Sequence, residues 1–353
     1  LSGEIYKGRE HSGDWDLVAE VCVVGSGAGG AVIAKNLSEA GLDVIVLEEG
    51  GHTPPEVYGK YRPTETLRHM AREAGTTATF SLGDTPLIGI MAGRCVGGSS
   101  IMTGGVCFRL PESVTDTWSR ELGLHGFSQK DLEDCYHEVE REVHVETVPE
   151  NMRSRSTALF AKGAAAHGIS MKSLRRNTLN CNGCGRCTFG CPEKAKLSVD
   201  LTYLKKAVAA GTRIYADCRA DRILSEHGRA SGVEGRILEG PNGKAKGRFR
   251  VRAQTVVVCA GTLHTPVLLG QSGVGKRSKQ LGKRITLHPA FRVAAMFEQE
   301  VRGWQGAMQS TYSDHFEHDG ITLVSVFTTM NVIAAAMTGV GPEHHEMLKQ
   351  MGK

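Results

Sequence analysis

Residues 19–51 read AEVCVVGSGAGGAVIAKNLSEAGLDVIVLEEGG: a β-branched run, a glycine-rich turn, an alanine-rich helical stretch and a second β-branched run. No other stretch restricts the fold as much. A strand that feeds a helix and returns to a parallel neighbour forms a right-handed βαβ unit, and such units build α/β sheets with helices on both faces. The turn carries Gly25, Gly27 and Gly30 in the spacing G-x-G-x-x-G. Gly25 permits the tight turn, Gly27 lets backbone approach a pyrophosphate, and Gly30 lets helix pack closely on strand. The helix N-terminus then offers unpaired N–H groups and partial positive charge to phosphates. Glu48 ends the second strand 18 residues beyond Gly30, placed to accept from a ribose diol. Glu49 takes that role if the strand ends one residue later.

The rest of the 353 residues suits one large α/β domain with a smaller one inserted or appended. Pro54, Pro55 and Pro63 break regularity after the βαβ unit, and a second glycine-rich block, GRCVGGSSIMTGG, spans 93–105. Leu132, Tyr136, Val139 and Val143 predict a helix over 130–143. A helix over 200–211, a strand over 212–217 and a hairpin over 219–252 turned at GPNG follow, then a separate short strand, TVVVCAG, leading into the helix TPVLLGQSG. From Gly320 to Pro342 no charged residue occurs, but Thr, Ser, Asn and a β-branched first half predict core strands rather than a membrane span.

Three blocks, GSGAGGAVIAKNLSEAGLDVIVLEEGG, GRCVGGSSIMTGGVCFRLPE and CAGTLHTPVLLGQSGVG running on to LHP at His288, occur in that order over nearly the whole chain. Together they resemble the glucose-methanol-choline (GMC) flavin oxidoreductases. GGSS…GGVCFRLP followed by DTWSRELGL, with a cysteine-rich segment before AKLS, is most similar to the long-chain alcohol oxidase branch. The resemblance implies an α/β fold: a Rossmann-like FAD-binding domain over 15–115 and 193–285, and a discontinuous α+β substrate domain over 116–180 and 286–353. It implies noncovalent FAD with Gly25, Gly27, Gly30 and Glu48 on the ADP half. Gly93, Gly97, Gly98, Ser99 and Gly104 come beside the flavin, Gly261 near the ADP portion, and main chain around Ala220 at the adenine. Where the family usually has asparagine beside the flavin, this chain has Thr103, which offers one hydroxyl donor in a different geometry.

The resemblance further implies oxidation of an alcohol CH–OH group, the catalytic histidine and its partner lying in a C-terminal segment. These 353 residues hold no such segment. The expectation is a longer polypeptide or a further subunit that supplies the histidine; His288 reads as structural and no catalytic residue is named. Residues around 60–90, 116–180 and 286–353 would line the substrate pocket without identifying the alcohol.

Cys181, Cys184, Cys187 and Cys191, followed by Pro192, match C-x2-C-x2-C-x3-C-P, a ferredoxin-type run in the loop 181–192. Three readings stay open: an iron–sulfur cluster of the 4Fe-4S type, a structural tetrathiolate zinc, and unmetallated thiols or disulfides. Cys218 is the candidate replacement if Cys191 points away. The leading reading is a relay: a reduced flavin holds two electrons and a cluster passes one at a time, so a dehydrogenase would hand electrons to an acceptor protein or quinone. The alternatives are an electron-transfer subunit without alcohol chemistry, and an oxygen-using alcohol oxidase with structural zinc. The other six cysteines (22, 95, 107, 135, 218, 259) read as buried thiols, which favours a reducing, cytoplasmic setting, with membrane association left open. A net charge of +4 from 42 basic and 38 acidic residues gives no concentrated basic field, so nucleic acid is not an expected partner. Short basic runs such as Lys172 to Arg176 read as solvated faces.

Overall fold

The computed structural model describes residues 3–79, 88–240, 243–327, 329–330, 333–334 and 339–351. The chain divides into two compact units, the first of Leu1–Met102 and Ser198–Phe291, the second of Thr103–Leu197 and Arg292–Lys353. Both are discontinuous in sequence, and the first division falls at Met102/Thr103, ahead of the expected change at 115.

Unit one is built on a seven-stranded sheet of β1 (Glu4–Lys7), β2 (Trp15–Val24), β3 (Val44–Leu47), β4 (Arg213–Ala216), β5 (Cys218–Glu226), β6 (Arg229–Leu238) and β7 (Ala245–Val258), in the order β1-β4-β3-β2-β7-β6-β5. The first five in that order run parallel, and β7, β6 and β5 form an antiparallel edge. The βαβ reading holds: β2 and β3 pair in parallel with Val24 opposite Leu47, joined by helix α1 (Ala28–Glu39). All four residues of β3 are buried, the near-continuous apolar run that a parallel strand covered on both faces requires. Helix α2 (Tyr203–Ala209) packs against α1, and α3 (Gly261–Gln271) follows β7. The mixed α/β fold with a Rossmann-like sheet is as the sequence implied.

One expectation changes. The predicted hairpin arm and the separate strand TVVVCAG are a single 14-residue strand, β7. Its first part pairs antiparallel with β6, and from Phe249 onward it pairs in parallel with β2. One strand therefore welds the antiparallel edge to the parallel core. The GPNG turn lies partly outside the described residues, and a second turn at His227–Gly228, both at positive φ, reverses the chain between β5 and β6.

Unit two holds a three-stranded antiparallel sheet (Lys172–Ser173, Gln309–Ser313, Leu323–Val326), a two-stranded one (Val145–Thr147 with Arg175–Asn177), and helices Glu112–Leu122, Gln129–Glu142, Arg155–Ala166 and Gly341–Lys349. Ser128 and Asp131 form a capping box that starts the helix predicted over 130–143. Glu140 on that helix takes paired hydrogen bonds from both Arg109 and Arg175. The uncharged stretch after Gly320 contributes Leu323–Val326 as a strand, and several of its later residues lie outside the described set. No helix among the described residues is long and apolar enough to cross a membrane.

Of the six scattered cysteines, Cys22, Cys95 and Cys218 are buried, Cys107 and Cys259 half-buried, and Cys135 is exposed, on the outer face of Gln129–Glu142 rather than in a core. The KSLRR run is not a solvated face either: Leu174 and Arg176 are 0% and 1% exposed, because the alternation of a strand turns every second residue inward.

Candidate functional site

The glycine turn closes between the carboxyl end of β2 and the start of α1. Gly25 has φ of +100°, and a Cβ there would lie 2.3 Å from the Cys259 carbonyl oxygen, so only glycine fits. A Cβ on Gly30 would stand 1.8 Å from the Gly25 carbonyl oxygen. Gly27 differs: a Cβ there meets nothing within 4 Å, so its face is open to a ligand. Gly27 is also the N-cap of the 12-residue α1, with no side chain capping the helix and no acidic residue in its first turn. The first-turn N–H groups and the positive end of the helix dipole are thus left for an anion, as a dinucleotide's diphosphate requires.

Glu48 lies at the end of β3 and is 7% exposed. Its Oε2 accepts from Ser26 N at 3.0 Å and Ser26 Oγ at 2.6 Å, and its Oε1 accepts from Gly50 N at 2.8 Å. Burial pushes the Glu48 carboxyl up, and the donors from Ser26 and Gly50 pull against that. Oε1 keeps capacity for a further donor such as a ribose hydroxyl. Ser26, which sequence reasoning did not single out, is 0% exposed, and its Oγ also accepts from Gly97 N at 3.1 Å. One hydroxyl thus joins the glycine turn, the acidic strand end and the second glycine block. A Cβ on Gly98 would be 2.9 Å from Gly27 Cα, so the two blocks are in direct contact. The Gly93 N–H is held by Ser99 Oγ at 2.9 Å.

Glu49 faces another way. Burial pushes its carboxyl up, but the Arg72 hydrogen bond at 2.7 Å and the charges of Arg72 and Arg94 outweigh that and hold it below the usual carboxylate range. The Glu49 carboxylate, the fallback for the ribose, is thus engaged in an ion-pair network with Arg72 and Arg94. Ala220 lies on β5 at a register shift, and Gly261 opens α3 at φ of +79° with open space around a Cβ. Thr103 and Gly104 belong to unit two, where their carbonyls accept from Lys196 Nζ at 2.8 Å and from Arg176 Nη2 at 2.7 Å. His288 is exposed.

The cysteine run lies in unit two. Cys181, Cys184, Cys187 and Cys191 line one pocket together with Arg176 and Lys196. Burial raises the Cys184 thiol, and the other three cysteines push it the same way. All four are free thiols in the structure. Among the described residues, however, no three or more His, Cys, Asp or Glu side chains stand together as a set that could hold a metal ion. The donor chemistry fits a soft metal, and the ligand set is not preformed. Cys218 is part of the hydrophobic core of unit one, packed among Ile223, Val233 and Ile237, and reads as a core thiol.

The family model described as GMC oxidoreductase matches residues 21–290. An uncharacterized GMC-type oxidoreductase of Mycobacterium tuberculosis is 37% identical over 326 residues, covering 92% of this chain and 50% of the relative. A long-chain-alcohol oxidase of Arabidopsis thaliana is 30% identical over 289 residues, covering 80% of this chain and 37% of its own. Among solved structures, pyridoxine 4-oxidase from Mesorbium loti shares the fold with a TM-score of 0.55 at 19% identity, over 72% of this chain and 52% of that one. The chain spans about half the length of the curated relatives it matches.

Proposed function

Because the chain belongs to the GMC oxidoreductase family, we propose that it binds FAD noncovalently through unit one and serves in the oxidation of an alcohol CH–OH group. FAD, when bound, supplies the acceptor for a hydride from the carbinol carbon. The chain's own part is to bind and orient. Gly25, Gly27 and Gly30 with the uncapped start of α1 take the diphosphate, Glu48 takes the ribose, and the Gly93–Ser99 block, with Gly97 and Gly98, approaches the ring with backbone. Main chain around Ala220 lies to the adenine side, and Gly261 near the ADP portion. No residue of these 353 is assigned as the catalytic base, and the alcohol is not specified beyond its class.

The observation that carries this reading is the Ser26 junction, which draws the dinucleotide turn, its acidic strand end and the Gly97–Gly98 block into one cradle. The test is anaerobic: the purified protein should carry a yellow chromophore released as FAD on denaturation, and primary, secondary or sterol alcohols should bleach it. A colourless protein that takes up no FAD would refute the binding half. A yellow one that no alcohol bleaches would refute the activity.

The finer reading makes the enzyme a dehydrogenase whose electrons leave through a thiolate-bound iron–sulfur centre to an acceptor protein or quinone. Its support is the C-x2-C-x2-C-x3-C-P spacing and the pocket the four thiols share. Iron with acid-labile sulfide in the anaerobic protein is the expected result, and zinc alone would remove the relay. A second reading, an oxygen-using oxidase, draws on the similarity to a long-chain-alcohol oxidase and predicts hydrogen peroxide in step with alcohol consumed.

A further inference from the structure

Arg94 stands in the second glycine block and is 5% exposed. Its Nε and Nη2 are buried without a hydrogen-bond partner among the described residues, and Nη1 reaches Glu49 Oε1 only at 3.7 Å, beyond hydrogen-bond distance. Glu49 is already held by Arg72 at 2.7 Å, and Arg219 pairs with Asp221 at 3.5 Å. Arg94 is thus left as a further guanidinium beside a carboxylate that is taken. Other arginines differ. Arg176, 1% exposed, donates to the Gly104 carbonyl and to Cys187 Sγ at 2.9 Å. Arg153 and Arg213 each leave Nε unmet but donate through Nη2 to Ser173 and to Asp43. A buried charge with unmet donors costs stability, and such a group in a folded protein calls for a partner. The backbone fixes where this charge sits. Arg94 N donates to the Met70 carbonyl at 2.7 Å, Cys95 bridges to Gly51, and a Cβ on Gly50 would fall on the Arg94 carbonyl group. Arg94 is therefore pinned against the end of β3, where Glu48 and Glu49 lie.

We propose that Arg94 is a cofactor-binding residue whose guanidinium donates to a phosphate oxygen in the ADP half of FAD. The inference rests on the FAD reading above and adds to it a residue outside the glycine turn. Residues given there to the ADP half are chain neighbours of this cluster: Glu48 precedes Glu49, Ala220 follows Arg219, and Gly261 opens the helix that carries His264. His264 in turn feels the charges of Arg72, Glu49 and Arg219. Phosphate is the acceptor that suits the group, because a guanidinium is always charged and presents its N–H groups as a planar fork matched to an oxyanion. Nε and Nη2, the two unmet nitrogens, form one edge of that fork. Both are closed off where they stand, so the side chain turns to meet the phosphate, and it breaks no hydrogen bond of its own in doing so. Charge gives the reason for such a residue. The diphosphate of a dinucleotide is doubly negative, whereas the start of α1 offers only about half a positive charge, and the turn Gly25–Gly30 contains no basic residue.

The test uses the full chain, stripped of flavin and titrated with FAD, riboflavin and ADP, the flavins read by fluorescence and ADP by calorimetry. Arg94→Met removes charge and donors at similar length, Arg94→Gln keeps N–H donors without charge, and Arg94→Lys keeps the charge without the fork. The methionine and glutamine variants should bind both FAD and ADP about ten- to a hundredfold more weakly, with riboflavin affinity unchanged and the lysine variant in between. The flavin-free methionine variant should melt within about 2 °C of the parent or above it, because the group removed makes no hydrogen bond there. Should that variant fail to fold, the ranking of parent, lysine and glutamine decides alone. Variants that bind FAD as tightly as the parent overturn the proposal. So does a loss of FAD affinity with ADP affinity intact, which puts the guanidinium at the flavin half. A flavin-free variant that melts far below the parent and loses riboflavin and FAD by the same factor marks a packing role and overturns it too. A parent chain that binds neither FAD nor ADP sinks the cofactor reading along with this one, whereas a parent that binds both and variants that match it sink only this one.

Discussion

Ser26→Ala removes one oxygen atom from a site where it has two partners. The Ser26 Oγ bond to Glu48 Oε2 at 2.6 Å has a carboxylate acceptor, and bonds to charged groups contribute about 1.5–3 kcal/mol. The same oxygen accepts the Gly97 N–H at 3.1 Å, and leaving that buried donor unmet costs about 1–3 kcal/mol. Alanine is smaller than serine, and the Ser26 main-chain bond to Glu48 at 3.0 Å survives, so part of the junction remains. A net loss of about 3 kcal/mol is expected, which lowers the melting temperature of a unit this size by about 6–12 °C. Because the junction shapes the dinucleotide cradle, FAD affinity should fall by about ten- to a hundredfold, each tenfold being about 1.4 kcal/mol. The assay is thermal unfolding of the FAD-free protein together with FAD titration by flavin fluorescence quenching. A double-mutant cycle with Glu48→Gln should give a coupling of about 1–3 kcal/mol. If Ser26→Ala melts within about 2 °C of the parent and binds FAD equally well, Ser26 is a passive filler and the cradle argument fails.

Gly27→Ala and Gly30→Ala should separate fold from cofactor. A Cβ at 30 would collide with the Gly25 carbonyl, so Gly30→Ala should destabilise by about 1–3 kcal/mol or more and yield flavin-free protein. A Cβ at 27 meets open space in the protein, so Gly27→Ala should melt like the parent yet bind FAD at least about tenfold more weakly; equal loss of stability in both would contradict the cradle. In unit two, the hydrogen bonds of Arg109 and Arg175 lower the Glu140 carboxyl from 4.5 to about 2. A carboxylate depressed in the folded state stabilises above its unfolded value, and that stability is lost as pH falls from 4.5 towards about 2. Urea unfolding should therefore show the gap between parent and Glu140→Gln full at pH above about 5 and closing below it, and a gap independent of pH would refute the ion-pair account.

Local order in the sequence was enough for the dinucleotide turn. An apolar run, three spaced glycines, a helix and a terminal carboxylate impose their constraints within about thirty residues, through backbone freedom and helix–strand packing that neighbours in sequence dictate. The turn at Gly25, Gly27 and Gly30 between strand and helix, and Glu48 at the strand end, were legible for that reason; the C-x2-C-x2-C-x3-C-P spacing likewise keeps its four cysteines in one loop, where they line one pocket. What lay out of reach depended on partners far along the chain. Ser26 matters because Gly97, 71 residues away, reaches its hydroxyl. The strand β7 could not be joined from its two halves, since each half is defined by a different neighbour, β6 or β2, and strand order is not written in either. Arg176 looked like one more solvated charge until the inward turn of its strand set it against Cys187. Residue type and spacing fix what a segment can do locally; which charges end up buried, and beside what, is decided only when distant segments pack, because burial is a property of the assembled surface and not of the segment.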